Sequence, residues 1–308
     1  MFVVFPAAIA VTIVILAQGM CGLSKCVNRY LVAMAISDLL VIFIGVILRR
    51  TFLLHLPYLP LFHTPVCSLN LTLRFFIIDI SVWLTVAFTF DRFIAICCTK
   101  LKTKYCTEWT ARLMIWAICT FLCVENIPVY FVYQPQLIVN GQPWYCTIKP
   151  SFYVFPAWRV FGWLNIILNP LLPFILILLF NTLTIRHVLV ASRVRQGLRG
   201  SAKGRDEEME SRRKSIILLF TISGSYVLLW LTFMVIFMYS MVTETQPLQS
   251  DYNSPFTIAE HVGYMLQLLS SCTNTVIYGV TQTQFRQRLK YIFSYPITRL
   301  LGHSHNHV

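Results

Sequence analysis

Hydrophobic residues run along this chain in long blocks rather than in short alternations. Seven blocks lie near residues 2–18, 29–52, 67–95, 109–131, 157–189, 213–241 and 256–280, separated by polar links. A helix rises about 1.5 Å per residue, so roughly 20 apolar residues suffice to cross the hydrocarbon of a bilayer. The pattern predicts an all-α fold: a bundle of seven membrane-crossing helices. The third block opens at Cys67 and closes on Asp91-Arg92-Phe93, with Arg92 standing 25 residues after the cysteine. That spacing covers roughly 37 Å, a full crossing with some tilt.

Composition fits the pattern. Hydrophobic residues make up 57% of the 308 and charged residues only 12%, too apolar for a soluble core to be covered. The net charge of +13 raises a nucleic-acid partner, but the basic residues sit in short links between apolar blocks, so no nucleic acid is expected. An odd number of crossings puts the two ends of the chain on opposite sides. One set of links and ends holds 20 of the 25 Lys and Arg residues, and the other set holds 5. The basic side is cytoplasmic, which places the N-terminus outside. Of the ten cysteines, only Cys67 and Cys146 then face the oxidising side, and they form the expected disulfide. The first block lacks a basic leader and a cleavage site, so no cleavable signal peptide is expected.

Several residues stand out against the apolar blocks. Asp38 has apolar neighbours over two turns on each side, a costly placement at membrane depth. Arg74 lies about two turns inside Cys67, with Asp79 and Trp83 further in. Asp79 is about 140° around the helix from Arg74 and a poor partner for it; Glu260 in the seventh block is the better internal partner. Asn140-Gly141 between apolar arms predicts a β-hairpin in the second outer link, with Pro135 and Pro143 confining its arms to short strands. Pro170 and Pro173 bend the fifth helix beside Asn165 and Asn169. After the seventh block, Phe285, Leu289 and Phe293 form one stripe opposite Arg286, Arg288 and Lys290, which predicts a short amphipathic helix on the inner lipid surface. The domain division is a seven-helix bundle over 1–280 and an amphipathic helix with a tail over 281–308. His303, His305 and His307 belong to that tail.

The joint spacing of the cysteine pair, Asp38, Asp91-Arg92-Phe93, Trp230, Asn274-Thr275-Val-Ile-Tyr278 and Phe285 resembles the rhodopsin-like (class A) G protein-coupled receptors. The segments Tyr30-Leu-Val-Ala-Met-Ala, Phe88-Thr-Phe-Asp-Arg-Phe-Ile-Ala-Ile-Cys-Cys and Cys272-Thr-Asn-Thr-Val-Ile-Tyr-Gly-Val resemble the subgroup around probable G-protein coupled receptor 139. The resemblance implies a receptor that passes an extracellular signal to a heterotrimeric G protein of the Gq type. It implies an aromatic amino acid-like or small peptide ligand, held by Arg74, Phe75, Asn165, Asn169, Trp230, Phe233, Glu260 and Tyr264. It implies a switch built from Asp91, Arg92, Phe93, Asn274 and Tyr278, and a Na⁺ site at Asp38, Ser81, Ser271 and Asn274; no other cofactor is implied. The chain departs from the family pattern at Ala8, where Asn is usual, and at Thr232 and Thr275, where Pro is usual. Arg212 replaces the acid that pairs with the helix 3 arginine in some members, so that lock is not expected here. The short first block reads as a truncated helix 1.

Rival classes leave no trace. Internal repeats and paired broken helices, which mark transporters, are not evident. A filter loop, a nucleophile–base pair and a phosphate loop are likewise not evident, which argues against a channel and an enzyme. A degenerate, non-signalling receptor homologue is the remaining alternative, motivated by Ala8, Thr232 and Thr275.

Overall fold

In a computed structural model, residues 4–19, 21–51, 62–197, 206–243 and 254–292 are described. The elements are helices: α1 (Val4–Ala17), α2 (Lys25–Ile42), α3 (Thr64–Cys97), α4 (Thr99–Tyr105), α5 (Glu108–Asn126), α6 (Ser151–Val154), α7 (Pro156–Ile166), α8 (Leu172–Gly197), α9 (Asp206–Thr243) and α10 (Pro255–Thr281). An eleventh helix, α11, covers 283–292. Two wide π-helical stretches extend α2 over Phe43–Thr51 and join α7 to α8 over Ile167–Leu171.

Five of these helical segments are long and apolar enough to cross a membrane: Lys25–Leu48, Thr64–Cys97, Glu108–Val132, Pro156–Ala191 and Ile216–Ser240. The two remaining blocks are helical as well. α1 is apolar but has only 14 residues. α10 has 27 residues, but Gln267, Ser270, Ser271, Thr273, Asn274 and Thr275 interrupt its apolar character. α3 runs through the middle of the bundle against α2, α5, α8 and α9, while α9 and α10 pack along one another.

Capping follows from the sequence at the starts of α2 and α5. Ser24 accepts from the Val27 N–H at 3.4 Å, and Thr107 accepts from the Thr110 N–H at 3.2 Å, each satisfying an amide that the helix leaves unpaired. α9 continues unbroken through Thr232, where a proline would remove a backbone hydrogen bond. The core has three parts, the smallest of them Ile9, Ala35 and Ile42 between α1 and α2. Near Arg92 it is built on Leu31, Met34, Phe88, Leu219, Tyr278 and Phe285; nearer the other end it is built on Ile77, Val82, Ile177, Tyr226 and Trp230. Outward-facing Trp109, Leu113, Trp116, Phe121 and Val124 on α5 are exposed, as a face turned to lipid requires.

The link after α5 folds as two short antiparallel pairs. β2 (Leu137–Val139) meets β3 (Gln142–Trp144), and β1 (Tyr133–Gln134) meets β4 (Thr147–Ile148). Asn140 and Gly141, at φ of 52° and 74°, make the tight turn, a backbone that asparagine and glycine tolerate. α11 buries Phe285 and packs Leu289 against the core, leaving Arg286, Arg288 and Lys290 exposed; Phe293 lies outside the described residues.

The approach of α9 to α10 depends on Gly263. A Cβ there would meet the Phe233 Cα at 3.0 Å and its N at 3.1 Å, and backbone cannot turn aside as a side chain can. Gly263→Ala is expected to cost about 1–3 kcal/mol through overpacking, read as a lower thermal unfolding midpoint of the purified protein. An unchanged midpoint would mean that the two helices part freely.

Candidate functional site

α3 carries charged groups at three levels. At its start, Pro65 lies in the first turn and Cys67 is bonded to Cys146 across 79 residues, with Cα atoms 6.0 Å apart. The hairpin is pinned further to this end. The Tyr145 N–H donates to the Phe62 carbonyl at 2.7 Å, the Thr64 hydroxyl donates to the Tyr145 carbonyl at 2.7 Å, and the His63 and Trp144 rings lie 4.9 Å apart.

Arg74 is half-buried, and its guanidinium lies 4.4 Å from the centre of the Tyr264 ring. Glu260, one turn before Tyr264 on α10, is near enough to feel the arginine's charge. The expected Arg74–Glu260 ion pair is nevertheless not formed. Among the described residues the ion pairs are Arg29–Glu108, Arg92–Asp91 and Arg112–Glu108. The guanidinium lies over the Tyr264 ring instead, in a cation–π contact. Trp230 lies 5.2 Å from Tyr226 and edge-on to Phe233 at 5.9 Å. Phe75 is 36% exposed, and no ring contact joins it to that group among the described residues.

Asp38 is buried at mid-depth. It accepts from the Ser81 hydroxyl at 3.1 Å and from the Asn274 amide at 2.8 Å, with Ser271 also in hydrogen-bonding reach. The sequence-predicted residues therefore meet across α2, α3 and α10. A small cavity lined by Ser81, Ser271, Asn274, Gln267, Tyr226 and Trp230 adjoins them.

At the far end of α3, Arg92 donates through Nε to Asp91 Oδ2 at 3.0 Å, and through Nη2 to the same oxygen. Asp91 is held in turn by the Cys26 thiol, which donates to Oδ1 at 2.9 Å, and by the Cys106 thiol, which donates to its carbonyl at 3.5 Å. Burial, helped by Asp91, pushes the Cys106 thiol up to about 12, so it remains a donor at neutral pH. Phe93 stacks on Phe180 at 5.6 Å, and Tyr278 packs edge-on against Phe285 at 6.3 Å. The Arg212 side chain lies outside the described residues. Thr275 Oγ1 lies 3.4 Å from the Thr12 hydroxyl and links α10 to α1.

One group escaped the sequence reading. Asp79 accepts from the Asn126 amide at 3.1 Å, and the same amide donates to Glu125 at 2.8 Å. Glu125 accepts in addition from Asn165 at 3.1 Å and from Asn169 at 3.4 Å. The two expected ligand-site asparagines thus converge on a carboxylate from a different helix. The signal was available: Glu125 is an ionisable residue near the end of the apolar fourth block.

Comparison with known proteins agrees with this geometry. Residues 8–278 match the family described as 7 transmembrane receptor (rhodopsin family). The neuropeptide CCHamide-1 receptor of Drosophila melanogaster is 22% identical over 280 residues, covering 86% of this chain and 53% of that receptor. The neuromedin U receptor homolog nmur-2 of Caenorhabditis elegans is 21% identical over 278 residues, covering 84% of this chain and 69% of that receptor. The chain thus spans about half the length of the first relative and about two thirds of the second. It is a multi-pass membrane protein, not an enzyme, and it belongs to the rhodopsin family of 7 transmembrane receptors.

Proposed function

We propose that this chain is a plasma-membrane receptor that crosses the bilayer seven times with its N-terminus outside. It binds a small peptide or an aromatic amino acid-like ligand and activates a heterotrimeric G protein, of the Gq type. One observation carries the reading: α3 is an unbroken helix with Arg74 toward its outer end and Arg92 at its inner end. The two arginines are 18 residues, or about 27 Å, apart along it, so a ligand contact and a G-protein contact share one rigid element. The named relatives are neuropeptide and neuromedin U receptors, which supports a peptide-like ligand.

In this reading the ligand carboxylate displaces the Tyr264 ring or shares the guanidinium of Arg74 with it. The ligand ammonium lies toward Glu260. The aromatic side chain descends past Phe75 to Phe233 and Trp230, with Asn165 and Asn169 at its flank. At the inner end, Asp91, Arg92, Phe93, Asn274 and Tyr278 form the switch. Ligand-stimulated nucleotide exchange on purified Gq, with the receptor in lipid vesicles, tests the reading. Exchange that rises with ligand and is lost in Arg92→Ala is expected. No exchange with any peptide or amino acid tried would favour a non-signalling homologue, the alternative to which Thr232 and Thr275 point.

The residues around Asp38 suit a hard monovalent cation, since the carboxylate bonds Ser81 and Asn274, which with Ser271 line the adjoining small cavity with hydroxyl and amide oxygen. Na⁺ held there steadies the resting arrangement of α2, α3 and α10. The purified receptor is expected to gain about 1.4 kcal/mol of stability at ten times the Na⁺ dissociation constant, relative to choline chloride at equal ionic strength. Asp38→Asn should abolish the difference. Agonist affinity should fall as Na⁺ rises, because two ligands that favour opposite states oppose each other by the same factor. A wild-type receptor indifferent to Na⁺ in both measurements would remove the site.

A further inference from the structure

We infer that Asp79, Glu125 and Asn126 form a subsite for an organic cation, a protonated amine or guanidinium, distinct from the Arg74–Glu260 level; this rests on the receptor reading above. Asp79 is buried, and Glu125 is half-buried. No Lys, Arg or His lies within ion-pair distance of either among the described residues. Their donors are neutral carboxamides from Asn126, Asn165 and Asn169. Uncompensated charge is the costliest thing to place at membrane depth, and neutral amides offset only part of that cost.

A second observation is independent of the carboxylates. Asn126 is 1% exposed and Asn169 is 5% exposed, yet Oδ1 of each is buried without a hydrogen-bond partner. Each Oδ1 belongs to an amide whose nitrogen already touches a carboxylate of the group. One hydrogen-bonded group thus holds two carboxylates and two buried amide oxygens without a partner. The missing component is a multi-donor cation. A guanidinium carries five N–H donors in a plane and an ammonium carries three, which suits four or more acceptors. The subsite is placed to act on the bundle, because Tyr226 on α9, 5.2 Å from Trp230, lies within electrostatic reach of Asp79.

The test uses agmatine, which has one guanidinium and one amine, added to the purified full chain in nanodiscs and followed by thermal unfolding. Agmatine should raise the midpoint in a saturable way. Asp79→Asn and Glu125→Gln should each weaken its apparent affinity about tenfold or more, the effect of losing a charged hydrogen-bond partner. Asn169→Ala, which leaves both carboxylates in place, should weaken it several-fold and covers the case in which a carboxylate variant does not fold. Arg74→Gln should leave agmatine binding unchanged. No saturable shift, or a shift that survives all three variants, overturns the subsite. A shift produced equally by NaCl or CaCl₂ at matched ionic strength, and lost in Glu125→Gln, assigns an inorganic ion instead and also overturns it. Nucleotide exchange is not part of this readout, so a receptor that fails to signal leaves the result intact.

Discussion

Arg74→Gln is expected to weaken a carboxylate-bearing agonist by about 2–5 kcal/mol, roughly 30- to 5,000-fold in affinity. The guanidinium is a fixed cation among apolar helices, stacked on the Tyr264 ring rather than paired with Glu260. An aromatic face offsets only part of an arginine's lost hydration, about 0.5–2 kcal/mol, so the charge keeps most of its attraction for an incoming carboxylate. Glutamine preserves a hydrogen-bonding side chain and removes only that charge. The amide analogue of the same agonist should therefore lose far less than the acid does. Tyr264→Phe should be close to neutral, whereas Tyr264→Ala should free the guanidinium and alter acid and amide binding unequally. Competition binding with an acid–amide pair on the two receptors measures this. Equal losses for the acid and the amide would make Arg74 a structural residue.

Removing the Cys67–Cys146 bond, as in Cys146→Ser, is expected to cost about 2–4 kcal/mol and with it most high-affinity ligand binding. The bond closes a loop of 79 residues, and cross-links over long loops restrict the unfolded chain most. Its native-state effect is local. The hairpin meets the start of α3 through hydrogen bonds at Tyr145 and Thr64 and through the His63–Trp144 rings, contacts that hold only while the two segments stay aligned. Without the covalent tie, the hairpin is expected to part from the start of α3. The unfolding midpoint and ligand off-rate, with and without mild reductant, should show both effects in the wild type and neither in the variant. A variant with unchanged off-rate would confine the bond to a stabilising role.

Much of this was legible in the sequence, for identifiable reasons. Asp38 stood out as a carboxylate in an apolar block, and the family resemblance supplied Ser81 and Asn274 as its partners. Asn140-Gly141 specified its own turn through two positive φ angles. That Arg74 and Glu260 stay unpaired was not legible, because charge complementarity alone does not show the cation–π contact that Tyr264, one turn along the same helix, makes with the guanidinium. Asp79 was correctly kept apart from Arg74 by helical geometry, but its partner on α5 depends on how α3 and α5 cross, which periodicity does not encode. The seven blocks became helices, but five alone carry the length and apolarity of a membrane span, since α1 is short and α10 carries polar residues through its middle.

The π-helical stretch over Ile167–Leu171 has a consequence for comparison across species. A π turn takes in one residue more than an α turn, so it is the trace of a single-residue insertion. One residue corresponds to about 100° of rotation. Aligned column by column with a relative that lacks the widening, this chain would be in register after Pro170 and one step out of register before it. Asn165 would then be matched to a position on a different face of the relative's helix, and its conservation would be scored against the wrong residue. Alignments of this family built with a one-residue gap allowed at Ile167–Leu171 should recover the true counterpart of Asn165, and with it the history of the carboxylate that it contacts.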